Sequence, residues 1–304
     1  MGKKTKIEWA EATWNPVTGC TPISEGCKNC YAERMATRMR GRYGYPEKEP
    51  FALTLHPGKL EQPLRWKRPR LIFVVSMGDL FHDDLKVHEI ELVLSLTFQA
   101  PQHTYLFLTK RPDNMQFMME RFFKGQPMPE NWWLGVTAEN QRCADERIPI
   151  LLQIPAAVRF VSYEPALGPI NLRHMDVEVA GHEKWCWIDS LTGKHSDMGR
   201  PCPDVPRLDW IIAGGESGPG ARPAKPDWFR SVRDQCKAAG VPFLFKQWGE
   251  HCMASQLPPD TYQRVDAAHN LGNQPDAFWK IGKKAAGRLL DGEEHLNWPR
   301  RPGK

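Results

Sequence analysis

Seven short apolar runs, each followed by polar residues, constrain the fold of this chain more than any other feature. Their length and their β-branched and aromatic content favour buried strands over helices. The runs are Phe51–His56, Leu71–Ser76, Thr104–Thr109, Trp132–Thr137, Arg159–Tyr163, Asp209–Ala213 and Pro242–Lys246. A less defined strand near residues 12–18 brings the predicted number of strands to about eight.

Amphipathic helical patterns lie between several of these strands. Residues 86–100 carry apolar side chains at helical spacing, and residues 227–239 begin at Asp227 and end before Gly240. Strands that alternate with helices imply parallel β-α-β units. The predicted fold class is therefore α/β, either a (β/α)8 barrel or a partial TIM-type barrel, for which 304 residues are sufficient.

Two segments interrupt the alternation of strands and helices. Residues 174–208 contain Pro, Gly, His and two cysteines, which predicts an insertion over the barrel mouth. Residues 251–304 are rich in Pro, Gly, Asn and Asp and predict a C-terminal extension. The barrel itself is therefore expected within residues 1–250.

The composition is that of an ordinary globular protein, with 41% hydrophobic and 25% charged residues. The formal net charge is +5, and much of the basic excess lies in residues 1–6, 65–70 and 299–304, patches that suit a polyanion. No segment resembles a signal peptide, and no apolar run approaches the roughly 20 residues that span a bilayer. We therefore expect a cytoplasmic protein without membrane contact.

A loop with three closely spaced cysteines is the most informative segment of the chain. Its pattern is Cys-x6-Cys-x2-Cys, formed by Cys20, Cys27 and Cys30. Three thiolates can bind three irons of a [4Fe–4S] cluster, which leaves the fourth iron open, as a catalytic metal requires. Gly19 and Gly26 precede two of the cysteines, where glycine lets backbone N–H groups turn toward cluster sulfides. The three cysteines are therefore the predicted metal ligands.

Other interpretations of the eight cysteines stay open at this point. In a reducing compartment they are expected as metal ligands, reactive thiols or core residues rather than as disulfides. The loop alone also suits a closed four-cysteine cluster, or a zinc site completed by a remote ligand. The candidate remote ligands are His56, His251 and Cys252. A second zinc site in the insertion would use His182, Cys186, His195 and Cys202. The two cysteines expected in the core of helices are Cys143 and Cys236.

The cysteine loop at the start of a predicted barrel resembles the radical S-adenosylmethionine superfamily, in which the usual spacing is Cys-x3-Cys-x2-Cys. The wider pattern is similar to one branch, the phage-associated three-cysteine proteins of unassigned function, and the matching segments cover nearly the whole chain. Outside the loop they are Ile7–Pro16, Ser76–His82, Leu108–Pro112, Leu134–Asn140, Ser162–Pro165, Gly214–Gly218, Lys246–Gly249 and Gly282–Gly292. The resemblance implies a radical enzyme that cleaves S-adenosylmethionine reductively.

Polar side chains end most of the predicted strands in these segments and would converge on one barrel mouth. Carboxylates there can bind ribose hydroxyls or the methionyl amine, whereas Lys and Arg can bind a carboxylate or a phosphate. The candidate cofactor-binding residues are Ser76, Asp79, Glu139 and Glu216. The candidate catalytic residues are Lys110, Glu164 and Lys246, and the candidate substrate-binding residue is Arg111.

The leading hypothesis is a radical enzyme with a [4Fe–4S] cluster and S-adenosylmethionine as cofactors. Its expected substrate is a nucleic-acid base or a modified nucleotide. Its expected electron donor is a protein of the flavodoxin or ferredoxin type. The hypothesis is also compatible with a dedicated partner protein. One alternative is a nucleic-acid-binding module with a structural zinc or a closed iron–sulfur site. The other is a non-catalytic redox sensor or assembly partner.

Overall fold

The structure is a computed structural model that describes residues 5, 7–178, 185–197, 200–201, 205–257, 261–263 and 277–300. The chain divides into two compact units. The first is built mainly from Met1–Val136 and Ile150–Arg159, and the second from Thr137–Pro149 and Phe160–Arg300.

Most of the predicted strands and helices are observed close to the positions that the apolar patterns indicate. The strands are β1 (Ala12–Trp14), β2 (Val17–Thr18), β3 (Thr54–Leu55), β4 (Leu71–Val74), β5 (Thr104–Thr109), β6 (Trp132–Thr137), β7 (Val158–Tyr163), β8 (Met175–Glu178), β9 (Trp185–Asp189), β10 (Lys194–Asp197), β11 (Arg200–Pro201), β12 (Trp210–Gly214), β13 (Phe243–Gln247), β14 (His251–Met253) and β15 (Phe278–Lys280). The helices are α1 (Tyr31–Arg38), α2 (Val87–Phe98), α3 (Pro112–Phe123), α4 (Gln141–Gln153), α5 (Pro226–Ala239) and α6 (Lys283–Ala286).

The main sheet has seven strands in the order β1-β4-β5-β6-β7-β12-β13. The pairs β1–β4, β4–β5, β5–β6, β7–β12 and β12–β13 are all parallel. Helices follow β5, β6 and β12 along the chain, as the β-α-β pattern requires. The predicted α/β class is therefore confirmed.

One predicted strand does not join this sheet. Of the run Phe51–His56, only β3 is extended, and it pairs antiparallel with β2. The run lies between Pro50 and Pro57, and most of its side chains are only half-buried, whereas a central parallel strand is buried on both faces. The described residues thus supply seven of the eight strands that a closed (β/α)8 barrel requires.

The helix boundaries have local causes. The two predicted helices, residues 86–100 and 227–239, are observed as α2 and α5. Pro226 occupies the first turn of α5, where its fixed φ suits the helix, and Gly240 ends it with a φ of +68°. In the described part of the chain, no helix is both long enough and apolar enough to cross a membrane.

The insertion predicted at residues 174–208 contains a separate sheet. Strands β8 to β11 form it in the order β11-β10-β9-β8, and their pairings are antiparallel. Its zinc site stays a prediction, because His182 and Cys202 lie outside the described residues. Further on, β14 and β15 form a two-stranded antiparallel sheet.

Each unit has an aromatic core of its own. In the first, Trp132 lies with its ring centroid 5.1 Å from Phe107 and 5.4 Å from Phe98. In the second, Phe229 lies 4.9 Å from Phe245. Phe98 is half-exposed, whereas Phe107, Phe229 and Phe245 are buried, and burial of each of these three rings stabilises the fold by about 1.5–3 kcal/mol. Cys143 on α4 and Cys236 on α5 are also fully buried, which confirms their prediction as core residues.

The start of the cysteine loop is fixed against the residues that follow β4. Gly19 forms a parallel bridge with Gly78, and its N–H donates to the Met77 carbonyl oxygen at 3.0 Å. The φ of Gly19 is +96°, and a Cβ there would lie 2.3 Å from the Ala52 carbonyl oxygen. Only glycine therefore fits at this position.

Replacing Gly19 by alanine is expected to destabilise the protein strongly, because the methyl group meets backbone as well as a left-handed φ. The melting temperature, followed by circular dichroism, should fall by about 5 °C or more, as a loss of about 2–3 kcal/mol implies. Gly125→Ala is the matched control, since Gly125 has a φ of +80° but no atom within 4 Å of the position that a Cβ would take. Equal shifts in the two variants would contradict the proposed steric anchor.

Candidate functional site

The three cysteines of the loop lie in the first unit as half-buried free thiols. Cys27 ends a short 3-10 helix, and Cys30 is the N-cap residue of α1. Cys20 directly follows the Gly19 anchor. The N–H of Gly19 itself donates to the Met77 carbonyl oxygen. That backbone N–H groups of this loop turn toward cluster sulfides stays a prediction.

Arg111, directly after β5, joins this strand end to the cysteine loop. Its Nη1 lies 3.5 Å from Cys20 Sγ and 3.4 Å from Asp79 Oδ2. Its Nη2 donates to the carbonyl oxygen and Oγ1 of Thr21, at 3.2 and 3.1 Å. Its Nε donates to Asp83 Oδ2 at 2.8 Å. A guanidinium carries five N–H donors, so these contacts with the chain itself use all of them.

Asp79, predicted to bind a cofactor, directs its carboxylate at neighbouring groups of the chain. It accepts hydrogen bonds from Thr109 Oγ1 at 2.8 Å, from the Phe81 N–H at 3.0 Å and from the Lys110 N–H at 3.3 Å. Together with the Arg111 contact, these occupy the roughly four acceptor positions of a carboxylate. Asp79 is 5% exposed. This geometry supports a role in positioning Arg111.

The electrostatic surroundings distinguish two of the thiols. Burial and, secondarily, the charge of Asp79 raise the pKa of Cys20 to about 11, although Arg111 acts in the opposite direction. Burial also acts to raise the pKa of Cys27, but the charge of Lys110 and hydrogen bonds with the backbone outweigh it and lower the pKa. Cys27 therefore becomes a thiolate, the form that binds metals, more readily than Cys20 does.

Three partners of this network were not predicted from the sequence: Thr21, His82 and Asp83. The Nε2 atom of His82 lies 2.7 Å from Thr21 Oγ1. Burial and the charge of Arg111 lower the pKa of His82, so the ring is neutral at physiological pH. The sequence feature that could have indicated His82 and Asp83 is the segment 76–84, in which three carboxylates and a histidine directly follow a strand.

Ser76 and Lys110, two further predicted residues of the first unit, are half-buried. The Ser76 hydroxyl donates to Asn15 Oδ1 at 3.2 Å. Asn15 also accepts from the Met77 N–H at 3.0 Å, so it ties the residue after β1 to the residues after β4. The predicted cofactor contact of Ser76 stays a prediction.

In the second unit, the structure brings together the predicted catalytic residues Glu164 and Lys246. The Lys246 Nζ atom lies 2.9 Å from Glu164 Oε1, with side chains 18% and 13% exposed. A Cβ on Gly214 would lie 2.6 Å from the same Oε1 atom, so glycine at this position leaves room for the carboxylate. An ammonium and a carboxylate in contact offer a proton donor and a proton acceptor to a ligand.

The two other predicted carboxylates of the second unit are buried in ion pairs. Glu139 is 0% exposed and lies 2.8 Å from Arg147 Nη1. Glu216 is 6% exposed, and its two oxygens accept hydrogen bonds from the backbone N–H and the guanidinium of Arg222. Their predicted cofactor contacts are untested, but these pairs explain their burial without a ligand. Gly215, beside Glu216, packs against the Trp248 backbone.

The positions of the possible metal-binding side chains have different consequences for a single metal ion and for an iron–sulfur cluster. Within the described ranges, no three His, Cys, Asp or Glu side chains are gathered closely enough to hold one metal ion. In a cubane cluster each thiolate binds a different iron, so the sulfur atoms need not converge on one point. The loop offers three thiol donors, and the cations Arg111 and Lys110 act on two of them, Cys20 and Cys27. Thiol ligands next to positive charge fit an anionic iron–sulfur cluster.

The different thiol environments predict different rates of alkylation. In iron-free protein at about pH 8, Cys27 should react with iodoacetamide faster than Cys20, because a larger fraction of it is ionised. As the pH rises, the rate at Cys27 should level off first, while that at Cys20 continues to rise toward about pH 11. Peptide mapping by mass spectrometry measures both, and buried Cys236 serves as an unreactive control. Equal rates at the two thiols near pH 8 would contradict the assigned environments.

Comparison with known proteins identifies a family but not an activity. No curated protein and no solved structure matches the chain. One family model matches residues 4–299, which is nearly the whole sequence. The chain therefore belongs to the family described as "Protein of unknown function (DUF5131)".

Proposed function

We propose that this chain is a radical S-adenosylmethionine enzyme whose [4Fe–4S] cluster is bound by Cys20, Cys27 and Cys30. The observation that carries the proposal is the position of three half-buried thiols on one anchored loop, two of which, Cys20 and Cys27, lie beside the cationic side chains of Arg111 and Lys110 respectively. A cluster with thiolate ligands carries negative charge, and fixed cations next to it favour its binding and its reduction.

Cys20, Cys27 and Cys30 would hold the cluster through three of its irons, and the iron without a protein ligand would be available to bind S-adenosylmethionine. When bound, such a cluster supplies the electron that breaks the sulfonium–carbon bond of S-adenosylmethionine and so starts radical chemistry. The reaction requires an external one-electron donor, for which we propose a protein of the flavodoxin or ferredoxin type. We also propose that the parallel main sheet is a partial TIM-type barrel, whose active sites lie at the carboxyl ends of the strands.

The network around Arg111 supports this chemistry by fixing a charge next to Cys20. Asp79 and Asp83 accept hydrogen bonds from different nitrogens of the guanidinium and so hold it in one orientation. Arg111 is 6% exposed, so water screens its charge little. We therefore revise its role from binding substrate to positioning and electrostatically supporting a ligand thiolate, as residues beside metal ligands commonly do.

The substrate groups are best sought among the more exposed of the predicted residues. Glu164 and Lys246 form a pair that stays partly exposed, so a ligand can reach both a proton donor and a proton acceptor. Lys110 is half-buried and acts electrostatically on Cys27. We propose a nucleic-acid base or a modified nucleotide as substrate, which the basic segments of the chain support.

The first test of this function is anaerobic reconstitution with iron and sulfide, followed by reduction in the presence of S-adenosylmethionine. The wild-type chain should form 5′-deoxyadenosine, and alanine at position 20, 27 or 30 should abolish both cluster absorbance and product. Cys236→Ala removes a buried thiol from α5 and should leave both signals intact. Absence of product from wild-type protein that holds a full cluster would refute the proposed activity.

The second test concerns the charge of Arg111. In Arg111→Gln, the midpoint potential should become more negative, because a cation that stabilises the reduced cluster is lost. Formation of 5′-deoxyadenosine should fall about 10- to 100-fold. Arg111→Lys keeps the charge and should restore most of the potential. Arg121→Gln removes an exposed charge from α3 and serves as the control. An unchanged potential in Arg111→Gln would contradict the role proposed for this side chain.

A further inference from the structure

The first unit contains a cavity of about 460 Å³, within the range of about 300–1,000 Å³ typical of small-ligand sites. Thr13 and Asn15, at the end of β1, form one part of its wall, and Met39, just after α1, forms another. Met77, whose carbonyl oxygen anchors the cysteine loop, also lines it. Cys30 packs against the same apolar cluster as Met77. The cavity therefore lies close to the candidate metal ligands.

The polar lining of this cavity suits an anion. Lys59 and Arg65 contribute two cations, and no carboxylate lines the cavity in the part of the chain that is described. Lys59 is half-buried, and its Nζ lies 3.5 Å from the Tyr43 carbonyl oxygen and 5.6 Å from the centre of the Tyr45 ring. Burial lowers the pKa of Lys59, which means that its charge is poorly solvated there. A bound phosphate would restore the missing counter-charge.

Aromatic side chains accompany these cations. Tyr43 lines the cavity and is 76% exposed, and Tyr31, next to Cys30, is 61% exposed. Exposed tyrosine rings among cations are the usual stacking surfaces of proteins that bind unpaired bases. Tyr43 also has a left-handed φ of +55°, a conformation that costs a non-glycine residue free energy and is often found at binding sites.

The segment 31–70, which supplies most of the residues that line the cavity, has a larger net positive charge than the whole chain. Residues 31–70 contain ten basic and four acidic residues, a net charge of +6, whereas the complete chain has +5. The acidic residues are Glu33, Glu47, Glu49 and Glu61, and of these Glu61 lies 3.7 Å from Arg65, with both side chains mostly exposed. The exposed cations, here called the cationic surface, are Arg38, Arg40, Arg42, Lys48, Arg65, Lys67 and Arg68.

We propose that this cavity and the cationic surface bind a single-stranded nucleic acid. One phosphate lies in the cavity against Lys59 and Arg65, a base stacks on Tyr43, and neighbouring phosphates follow the cationic surface. This proposal deepens the proposed function by narrowing its substrate to a base within a single-stranded polymer, and it rests on that function only for the chemistry that follows binding.

A single strand fits the observations better than a free nucleotide or a duplex. A free nucleotide would use the cavity but leave the long cationic surface without a role. A duplex would keep its bases paired, so that Tyr31 and Tyr43 would have no base face to contact. A strand that runs from the cavity along α1 brings its bases toward Tyr31, and therefore toward Cys30.

The test is fluorescence anisotropy with labelled single strands of RNA and of DNA about 20 nucleotides long, which exceeds the usual site size of roughly 4–16 nucleotides. A duplex of the same length is the comparison. The full chain is titrated without S-adenosylmethionine or reductant, so the result is independent of cofactor cleavage. Single strands should bind in a salt-dependent manner and more tightly than the duplex, and the tighter of RNA and DNA identifies the polymer.

Variants of the cavity decide whether this surface is responsible. The double variant Lys59→Gln, Arg65→Gln should weaken binding about tenfold or more and reduce the salt slope by about 1. Tyr43→Ala should weaken it about tenfold, whereas Tyr43→Phe, which retains the ring, should bind like wild type. Lys237→Gln removes an exposed charge from α5 and is the control. Equal weakening by Lys237→Gln and the double variant, equal affinity for the duplex, or no salt-dependent binding would overturn the proposal.

Discussion

The buried contact between Arg111 and the cysteine loop is the interaction on which the candidate site depends. A guanidinium that is 6% exposed would cost several kcal/mol if its partners were missing. Asp79, Asp83, Thr21 and Cys20 together satisfy it. These partners come from the loop and from the residues after β4, while Arg111 itself follows β5. The network therefore fixes three separate stretches of chain around one thiol.

A second constraint acts through the backbone. Gly19 bridges to Gly78 with no space for a side chain, so the loop begins at a defined distance from the residues that follow β4. From there the chain has only ten residues to reach Cys30 at the start of α1. Two of the three thiols on this short path are close to cations, since the charge of Arg111 acts on Cys20 and that of Lys110 acts on Cys27. The backbone bridge of Gly19 thus anchors the loop, and the side chains of Arg111 and Lys110 supply its local charge.

The pattern of apolar residues predicts much of the fold, because parallel strands are continuous buried runs that differ clearly from amphipathic helices. It fails for Phe51–His56, where composition alone does not reveal that only two residues pair, and with β2 rather than with the main sheet. Spacing likewise singles out the cysteine loop and the polar residues after each strand. It does not show which of those side chains bind one another, since the pairing of Glu139 with Arg147 or of Asp79 with Arg111 depends on tertiary positions.

The most direct measurement of the central claim is electron paramagnetic resonance of the reduced, anaerobically reconstituted protein, before and after addition of S-adenosylmethionine. The account predicts about four iron and four sulfide atoms per chain and the spectrum of a reduced [4Fe–4S] cluster. That spectrum should change when the sulfonium compound binds to the open iron. A stoichiometric zinc ion in place of iron, or a cluster spectrum indifferent to S-adenosylmethionine, would contradict it.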